Sequence, residues 1–216
     1  MRRQTPLLMQ GNGKLGSAIH VWSLPAIESC PGSTKTCRDA CYARRHRFRF
    51  ASVRRRLQWN WRQCRRADFV DRMVSEIRAE GVLVLRLHVS GDFWSSAYVE
   101  KWCEIMRHAP RATYFGYTRS WQRAGVAAAL EKLAALSCMR LWYSIDDETG
   151  IPDYVPPNVR LAYLQIRNQP IPPRADLAFR VQQLRKLPPL PVVCPSETTT
   201  GHSPRITCGS CARCFD

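Results

Sequence analysis

Apolar residues along the chain fall into short runs separated by amphipathic stretches. Several runs are almost continuously apolar, as strands buried on both faces of a parallel sheet are. Six runs rich in β-branched and aromatic residues predict strands, at 20–27, 82–90, 111–118, 140–146, 159–165 and 190–194. The pattern therefore predicts a six-stranded, mainly parallel sheet.

Helices are predicted between most of these strands. The stretch 67–80 has the period of an amphipathic helix, and 96–107 and 121–136 repeat it. The apolar stripe of the first helix consists of Phe69, Val70, Met73, Val74 and Ile77. A shorter helix is expected at 174–186, whereas a proline-rich loop at 151–158 joins the fourth and fifth strands.

Alternating strands and helices imply parallel crossovers and an α/β fold. The count and order favour a partial six-stranded (β/α) barrel, and a doubly wound open sheet is the alternative. At 216 residues we expect one domain, with an α/β body at 1–190 and a cysteine-rich tail at 191–216 packed on it. No apolar run is long enough for a membrane span and Met1 opens no secretory signal, so we expect a cytoplasmic protein without a membrane partner.

Positive charge is concentrated in one segment. The net charge is +16, and 44–66 contains no acidic residue. Its arginines are Arg44, Arg45, Arg47, Arg49, Arg54, Arg55, Arg56, Arg62, Arg65 and Arg66. Phe48, Phe50, Trp59 and Trp61 lie among them and suit either base stacking or anchoring of the segment to the core. The segment predicts contact with nucleic acid or nucleotides, DNA rather than RNA, with a solvated helix face as the alternative.

The chain has ten cysteines, and without a secretory signal they indicate metal binding rather than disulfides. An N-terminal trio consists of Cys30, Cys37 and Cys41. A tail set consists of Cys194, Cys208, Cys211 and Cys214. Four thiolates satisfy zinc or a 4Fe–4S cluster, and the C-x2-C-x2-C run in the tail favours iron. A disulfide-bonded or inert tail is the alternative.

The trio differs from the tail because three thiolates leave one iron of a 4Fe–4S cluster open. An open iron is what a substrate or cosubstrate binds, so the trio predicts a reactive centre. The turn after Cys30 leads to Ser33 or Thr34 as the cap of a helix carrying Cys37 and Cys41 on one face. A zinc site completed by a fourth ligand such as His46, or one site shared by trio and tail, are alternatives.

Polar residues follow the predicted strands, at the edge where parallel α/β folds bind ligands. The candidate catalytic residues are His88, Asp92, Arg119, Asp146 and Asp147. Asp92 is a hydrogen-bond acceptor, Asp146 or Asp147 a second acceptor or general base, and Arg119 a phosphate or carboxylate clamp. The structural alternatives are helix caps for Asp92 and Asp147, a core histidine for His88, and pairing of Arg119 with Asp92.

Four stretches have a family resemblance that covers most of the chain. They are Lys14-Leu15-Gly16, SLPAIESCPGSTKTCRDACYA, HVSGDFWSSAYVEKW and YTRSW. They resemble the gene-product-88 family of phage and plasmid proteins. More distantly, the cysteine loop and the Ser90-Gly91-Asp92 turn resemble the radical S-adenosylmethionine enzymes.

The second resemblance implies that the trio holds a catalytic iron–sulfur cluster and the tail an auxiliary one. It also implies that Ser90, Gly91, Asp92 and Tyr117 contact S-adenosylmethionine. Those enzymes use C-x3-C-x2-C, whereas Arg44 stands at the third position here, so Cys30 supplies that thiolate from upstream.

Three functions are compatible with these features. The first is a nucleic-acid-modifying metalloenzyme of the radical type, which needs a reductant or partner protein. The second is a zinc-containing nucleobase transglycosylase that uses Asp92 and Asp146 as nucleophile and base. The third is a non-enzymatic, metal-stabilised DNA-binding protein of a phage or plasmid. The metal content of protein purified without oxygen distinguishes iron from zinc.

Overall fold

A computed structural model describes residues 5–197 and 206–216. They form an α/β fold around a seven-stranded sheet whose strands lie side by side in chain order. The strands are β1 (Met9–Gln10), β2 (Ile19–Trp22), β3 (Val84–Leu87), β4 (Thr113–Thr118), β5 (Met139–Ile145), β6 (Val159–Gln165) and β7 (Leu177–Arg180). Only β1 pairs antiparallel with its neighbour, and β2 to β7 are parallel. The predicted mainly parallel sheet is therefore confirmed.

The described residues form six α-helices, five of which lie in the connections from β2 to β3, β3 to β4 and β4 to β5. They are α1 (Lys35–Ala40), α2 (Ala51–Gln63), α3 (Phe69–Ala79), α4 (Ser96–His108), α5 (Ala124–Ala134) and α6 (Cys208–Cys211). The helices predicted at 67–80, 96–107 and 121–136 correspond to α3, α4 and α5 and are confirmed. No described helix is long and apolar enough to cross a bilayer.

The main core lies where α3, α4 and α5 pack against one face of the sheet. Its centre is aromatic: the ring centroids of Trp22 and Phe69 are 5.3 Å apart, and those of Phe69 and Trp102 are 5.9 Å apart. Trp22 Nε1 donates a hydrogen bond to the Tyr98 hydroxyl at 2.9 Å. Burying each such side chain contributes about 1.5–3 kcal/mol, so this cluster fixes the helices on the sheet.

The opposite face of the sheet is covered by the C-terminal tail. The Trp142 indole donates to the Cys214 carbonyl at 3.0 Å, and the rings of Phe115 and Phe215 are 5.2 Å apart. The Cys208 amide donates to the Lys14 carbonyl at 2.8 Å. Both faces are therefore covered, which explains why the strands read as nearly continuous apolar runs.

Two predictions near the end of the sheet are wrong. The helix expected at 174–186 is instead β7 followed by a 3-10 turn at Gln182–Leu184. The strand expected at 190–194 is reduced to one bridge, between Val193 and Ala178. The edge of β6 offers unpaired N–H and C=O groups, and pairing with them outweighs the local helix preference.

Other boundaries differ less. The strand expected at 20–27 ends at Trp22, ahead of a turn in which Ser29 N donates to the Pro25 carbonyl at 3.3 Å. The two-residue β1 was not predicted, because it is too short to have a periodic pattern. The strands run in sequential order without the reversal that a doubly wound sheet needs, so this alternative does not describe the sheet.

Candidate functional site

The loop with the N-terminal cysteines is docked on the carboxyl edge of the sheet. A Cβ atom at Gly32 would lie 2.0 Å from the Arg119 carbonyl oxygen, so only glycine permits this approach. Gln122 Nε2 donates to the Gly32 carbonyl at 2.8 Å. Gly91 has φ +81°, and a Cβ there would lie 2.5 Å from Ser29 Oγ. The Gly91 turn therefore packs against this loop.

Helix α1 is oriented by acceptors at its N-terminus. The Thr34 hydroxyl accepts from the Cys37 amide at 2.9 Å and donates to Asp146 Oδ2 at 2.9 Å. The Glu148 carboxylate accepts from the first two amides of the helix, at 3.2 and 2.9 Å. The helix ends at Ala40, and Cys41 is its C-cap. Of the two predicted caps, Ser33 and Thr34, the structure uses Thr34. Cys37 lies within the helix, but Cys41 does not, so the two cysteines do not share one helical face as predicted.

The trio is brought together beside two charged side chains. Burial raises the pKa of Cys30 to about 12, and the charge of Asp92 and the neighbouring thiols of Cys37 and Cys41 add to the increase. Burial also raises the pKa of Cys37, which the nearby Arg119 guanidinium partly offsets. The Cys30 and Cys37 thiols are therefore protonated at neutral pH, and metal binding must release protons.

The strand-end carboxylates Asp92 and Asp146 are engaged in hydrogen bonds. Asp92 accepts from the Phe93 amide at 2.7 Å and the Arg119 amide at 2.8 Å. Burial raises the pKa of Asp92 to about 6. The Arg119 guanidinium lies 2.8 Å from Asp146 Oδ2, so its ion-pair partner is Asp146 rather than Asp92. These contacts join the ends of β3, β4 and β5 to the cysteine loop.

His88 and Asp147 contact other parts of the fold. His88 is buried, its Nε2 lies 3.0 Å from the Tyr98 hydroxyl, and burial lowers its pKa to about 3. It has the surroundings of a core histidine. Asp147 is exposed and accepts from the Tyr163 hydroxyl and from Gln169, the latter at 2.6 Å. Neither side chain joins the cluster around Arg119 through these hydrogen bonds.

The residues predicted to contact S-adenosylmethionine do not form one group. Ser90 Oγ donates to the Leu24 carbonyl at 2.8 Å, and Asp92 accepts from backbone amides. Tyr117 lies on the sheet face under the tail, where its ring centroid is 5.2 Å from that of Phe179. The turn at Gly91 therefore serves the docking of the cysteine loop, whereas Tyr117 belongs to the surroundings of the tail.

The tail cysteines gather on that same face. Cys194 and Cys214 pack in one buried cluster with Trp142. Burial raises the pKa of Cys208, and the Cys194 and Cys211 thiols contribute to the increase. Burial likewise raises the pKa of Cys214, with a contribution from Cys194. The structure therefore groups these four thiols, although residues 198–205 of the predicted tail lie outside the described part.

All ten cysteines are free thiols. Within residues 5–197 and 206–216, no three Cys, His, Asp or Glu side chains are positioned together to hold a metal ion. The thiols of each set are neighbours, and their chemistry suits zinc or iron–sulfur. In the described residues neither set is arranged as a ligand shell.

An open groove of about 1140 Å³ runs along α2 and the loop before Cys30. Six of the predicted arginines line it: Arg44, Arg49, Arg54, Arg55, Arg56 and Arg62. Glu28 is the one acidic residue in its lining, and Phe48 and Trp59 add aromatic surface. Because 25–28 and 43–44 belong to this lining, the groove borders the segment that carries Cys30, Cys37 and Cys41.

The ten arginines fall into two groups by their contacts. Arg56 donates to two backbone carbonyls of the N-terminal segment at 2.6 and 2.7 Å, and Arg45 donates to another carbonyl at 2.8 Å. Arg65 stacks on the Trp61 ring at 3.5 Å, and Arg66 pairs with an aspartate at 2.7 Å. Arg44 donates to the Arg38 carbonyl at 3.3 Å. The other five form no side-chain hydrogen bond or ion pair with the described residues: Arg47, outside the groove, and Arg49, Arg54, Arg55 and Arg62, which line it.

Two charged groups of the fold were not predicted from the sequence. Buried Glu197 pairs with Lys14 and Arg185, each at 2.5 Å, and so ties the end of the sheet to the segment before β2. Arg86 lies among the tail thiols. The family motif that contains Lys14 was the only signal for the first group, and Arg86 resembled an ordinary polar position within a strand.

The fold and this edge together define an α/β protein with a mostly parallel sheet, two cysteine groups and an arginine-lined groove. The chain belongs to the gene product 88 family, whose sequence profile matches residues 6–216. The Gene 88 proteins of Mycobacterium phages D29 and L5 are each 32% identical to it in an alignment of 151 residues that covers 64% of the chain. The match covers 61% of the length of these relatives. No solved structure matches the chain.

Proposed function

We propose that this chain is a nucleic-acid-binding metalloprotein. In this proposal the arginine-lined groove binds the sugar–phosphate backbone, and the adjacent Cys30, Cys37 and Cys41 hold a metal centre. The observation behind it is the groove itself, which combines six arginines with one acidic residue and borders the cysteine loop.

The groove arginines that have no partner among residues 5–197 and 206–216 suit a polyanion. A guanidinium presents a fork of donors that matches phosphate geometry, and each neutralised phosphate releases counterions. Arg49, Arg54 and Arg55 are exposed and have no internal partner among the described residues, so binding does not require breaking an existing ion pair. Phe48 and Trp59 offer stacking surfaces for bases. We take DNA as the first ligand to test because the relatives are phage proteins.

The test is nucleic-acid binding by a variant with Arg49→Ala, Arg54→Ala and Arg55→Ala. Affinity for a fluorescent DNA oligonucleotide should fall at least tenfold at low salt. The slope of log K against log salt should decrease by about 1 for each phosphate that the variant no longer neutralises. Arg56 is left in place because it anchors backbone carbonyls.

The matched control is Arg107→Ala with Arg111→Ala, which removes exposed arginines near the amino end of β4. The control should bind like the unmodified protein. A triple variant with an unchanged salt slope would show that the arginine segment is only a solvated surface.

The metal centres are the second part of the proposal. An iron–sulfur cluster is our first choice for both cysteine sets, with zinc as the alternative. A cluster held by the trio would supply one-electron chemistry or an open iron next to the groove. Support comes from the clustering of the thiols, and the absence of a preformed ligand shell in the described residues means that binding must reorient them. Iron and zinc analysis of protein purified without oxygen tests this part.

The contacts around Asp92 and Asp146 favour a second candidate, a metal-stabilised DNA-binding protein without enzymatic activity. Both carboxylates are buried and accept from amides, a hydroxyl or Arg119, which leaves no free pair for transglycosylation.

The sheet topology, in contrast, suits a radical enzyme, because such enzymes have a partial barrel of sequential parallel strands. Release of 5′-deoxyadenosine from S-adenosylmethionine by the iron-loaded protein would favour the enzyme, and DNA binding without it would favour the binder.

A further inference from the structure

Arg86 occupies the middle of the sheet face that the tail covers. It lies on β3 between Val21 of β2 and Phe115 of β4. Its guanidinium carbon is 5.9 Å from the Phe115 ring centroid and 5.6 Å from that of Tyr117. Its Nε atom is shielded from solvent. A charged side chain thus lies over an aromatic floor beneath the tail.

This guanidinium has no counter-charge among the described residues. Arg86 forms no side-chain hydrogen bond or ion pair with them, and its shielded Nε has no acceptor. An arginine does not escape such a position by losing its proton, because its charge persists at any physiological pH. Arg86 is partly buried, and a charge that is largely withdrawn from water without an opposite charge is unfavourable, so the site is electrostatically incomplete.

Two groups close to the guanidinium, the thiols of Cys208 and Cys214, become anionic when they bind metal. Both thiols pack against the buried cluster that contains Phe115, and the Arg86 guanidinium lies over the Phe115 and Tyr117 rings of the same sheet face. The Tyr117 hydroxyl is also shielded and faces the Cys214 thiol without a hydrogen bond of normal geometry. Two polar side chains whose shielded atoms have no partner in the described part of the chain therefore border the same pair of thiols.

We propose that Arg86 is the counter-charge of a metal–thiolate centre formed by the tail set, and that it positions and stabilises the thiolates. This inference rests on the metal binding proposed above. As each sulfur–metal bond forms, the thiol releases its proton to solvent, and four thiolates outweigh the charge of a divalent ion. The resulting negative centre supplies the partner that Arg86 lacks, and the Tyr117 hydroxyl becomes a donor to the sulfur of Cys214.

The test measures binding of Zn²⁺ and Co²⁺ to the full chain by chelator competition. Cys37→Ala and Cys41→Ala are present throughout, so that only the tail set is reported. Arg86→Met should lower the affinity about 10- to 100-fold. It should also move the midpoint of cobalt–thiolate absorption upward by about one pH unit, because thiolate formation loses a favourable charge.

Two further variants separate charge from packing. Arg86→Lys keeps the charge and should retain most of the affinity. Arg140→Met removes another arginine, one that donates to the Ser137 carbonyl at 2.7 Å, and should bind metal as the parent does. Circular dichroism of the metal-free variants reports whether each one folds.

Three outcomes would overturn the inference. Equal affinity and pH midpoint in the parent and Arg86→Met would remove the counter-charge role alone. An equal loss of affinity in Arg86→Met and Arg86→Lys would assign the effect to packing. Absence of metal from the parent chain would remove the tail site as well, while DNA binding in the groove would remain a separate question.

Discussion

The surroundings of His88 decide its chemistry at the scale of a single residue. Its Nε2 faces the Tyr98 hydroxyl, which already accepts a hydrogen bond from Trp22. That hydroxyl therefore donates to the imidazole, which must be neutral to accept. Burial reinforces this by lowering the pKa of His88 from 6.5 to about 3. The residue is thus a pH-sensitive part of the core rather than a free general base.

We predict that His88 makes the fold acid-sensitive. Its folded pKa is depressed, so its contribution is complete above the unfolded value near 6.5 and is lost as pH falls toward 3. Between pH 7 and pH 5 the loss is about 2 kcal/mol in the free energy of unfolding. Urea denaturation at several pH values should therefore show a smaller acid loss for His88→Asn, since asparagine tolerates the positive φ of 59°.

Asp92 provides an internal check because its shift has the opposite sign. Its folded pKa of about 6 exceeds the unfolded value, so the fold gains about 1 kcal/mol from it as pH falls from 7 to 5. Subtracting the variant curve from the parent curve cancels this gain. Parallel curves for parent and His88→Asn would contradict the assignment of a neutral core histidine.

At the scale of elements, the cysteine loop is attached to the end of β4 through backbone. A Cβ atom at Gly32 would meet the carbonyl oxygen of Arg119 at 2.0 Å and its carbonyl carbon at 2.5 Å. Backbone atoms at a strand end do not move aside as the tip of a flexible side chain does. The loop can therefore pack this closely against the end of β4 only because Gly32 has no Cβ atom.

We predict that Gly32→Ala displaces this loop and destabilises the fold by about 2 kcal/mol. Urea denaturation measures the loss, and faster reaction of Cys30 and Cys37 with a thiol reagent reports the displacement. Gly125→Ala is the control, because nothing lies within 4 Å of its Cβ position in α5 and alanine should stabilise the helix by up to about 1 kcal/mol. A Gly32→Ala protein as stable and as slow to react as the parent would rule out the close packing.

Across the whole molecule, the two cysteine sets come from opposite ends of the chain and occupy different parts of one sheet, its carboxyl edge and one of its faces. The trio lies at the carboxyl edge beside the arginine groove, and the tail set covers the face opposite α3, α4 and α5. If each set binds one 4Fe–4S cluster, the chain holds about eight irons. The two centres are then separable by mutation.

We predict that Cys37→Ala reduces the iron content of protein purified without oxygen from about eight to about four per chain. It removes a trio thiol and leaves the tail untouched. Cys138→Ala is the control, since this partly buried thiol belongs to neither set. Unchanged iron in Cys37→Ala would refute the assignment of the trio as ligands.

Several elements of the fold and one group of contacts at the candidate site were predicted from the sequence. Strands such as Val159–Gln165 and helices such as Phe69–Ala79 were predicted because apolar periodicity reports which side of an element is buried. The meeting of Cys30, Asp92, Arg119 and Asp146 at one edge followed from parallel topology, and their contacts agree with it. The function of this edge remains a proposal.

The sequence by itself determined the α/β alternation, the one domain-sized sheet, the two cysteine sets and the arginine-rich segment, because these depend on composition and local spacing. Only the tertiary structure decided that 177–180 adds a strand, that Arg56 is structural while Arg54 has no side-chain partner among the described residues, and that Arg86 lies under the tail thiols. Each of these depends on atoms distant along the chain. Edge pairing, salt-bridge partners and burial arise only when separate elements meet, so no local pattern encodes them.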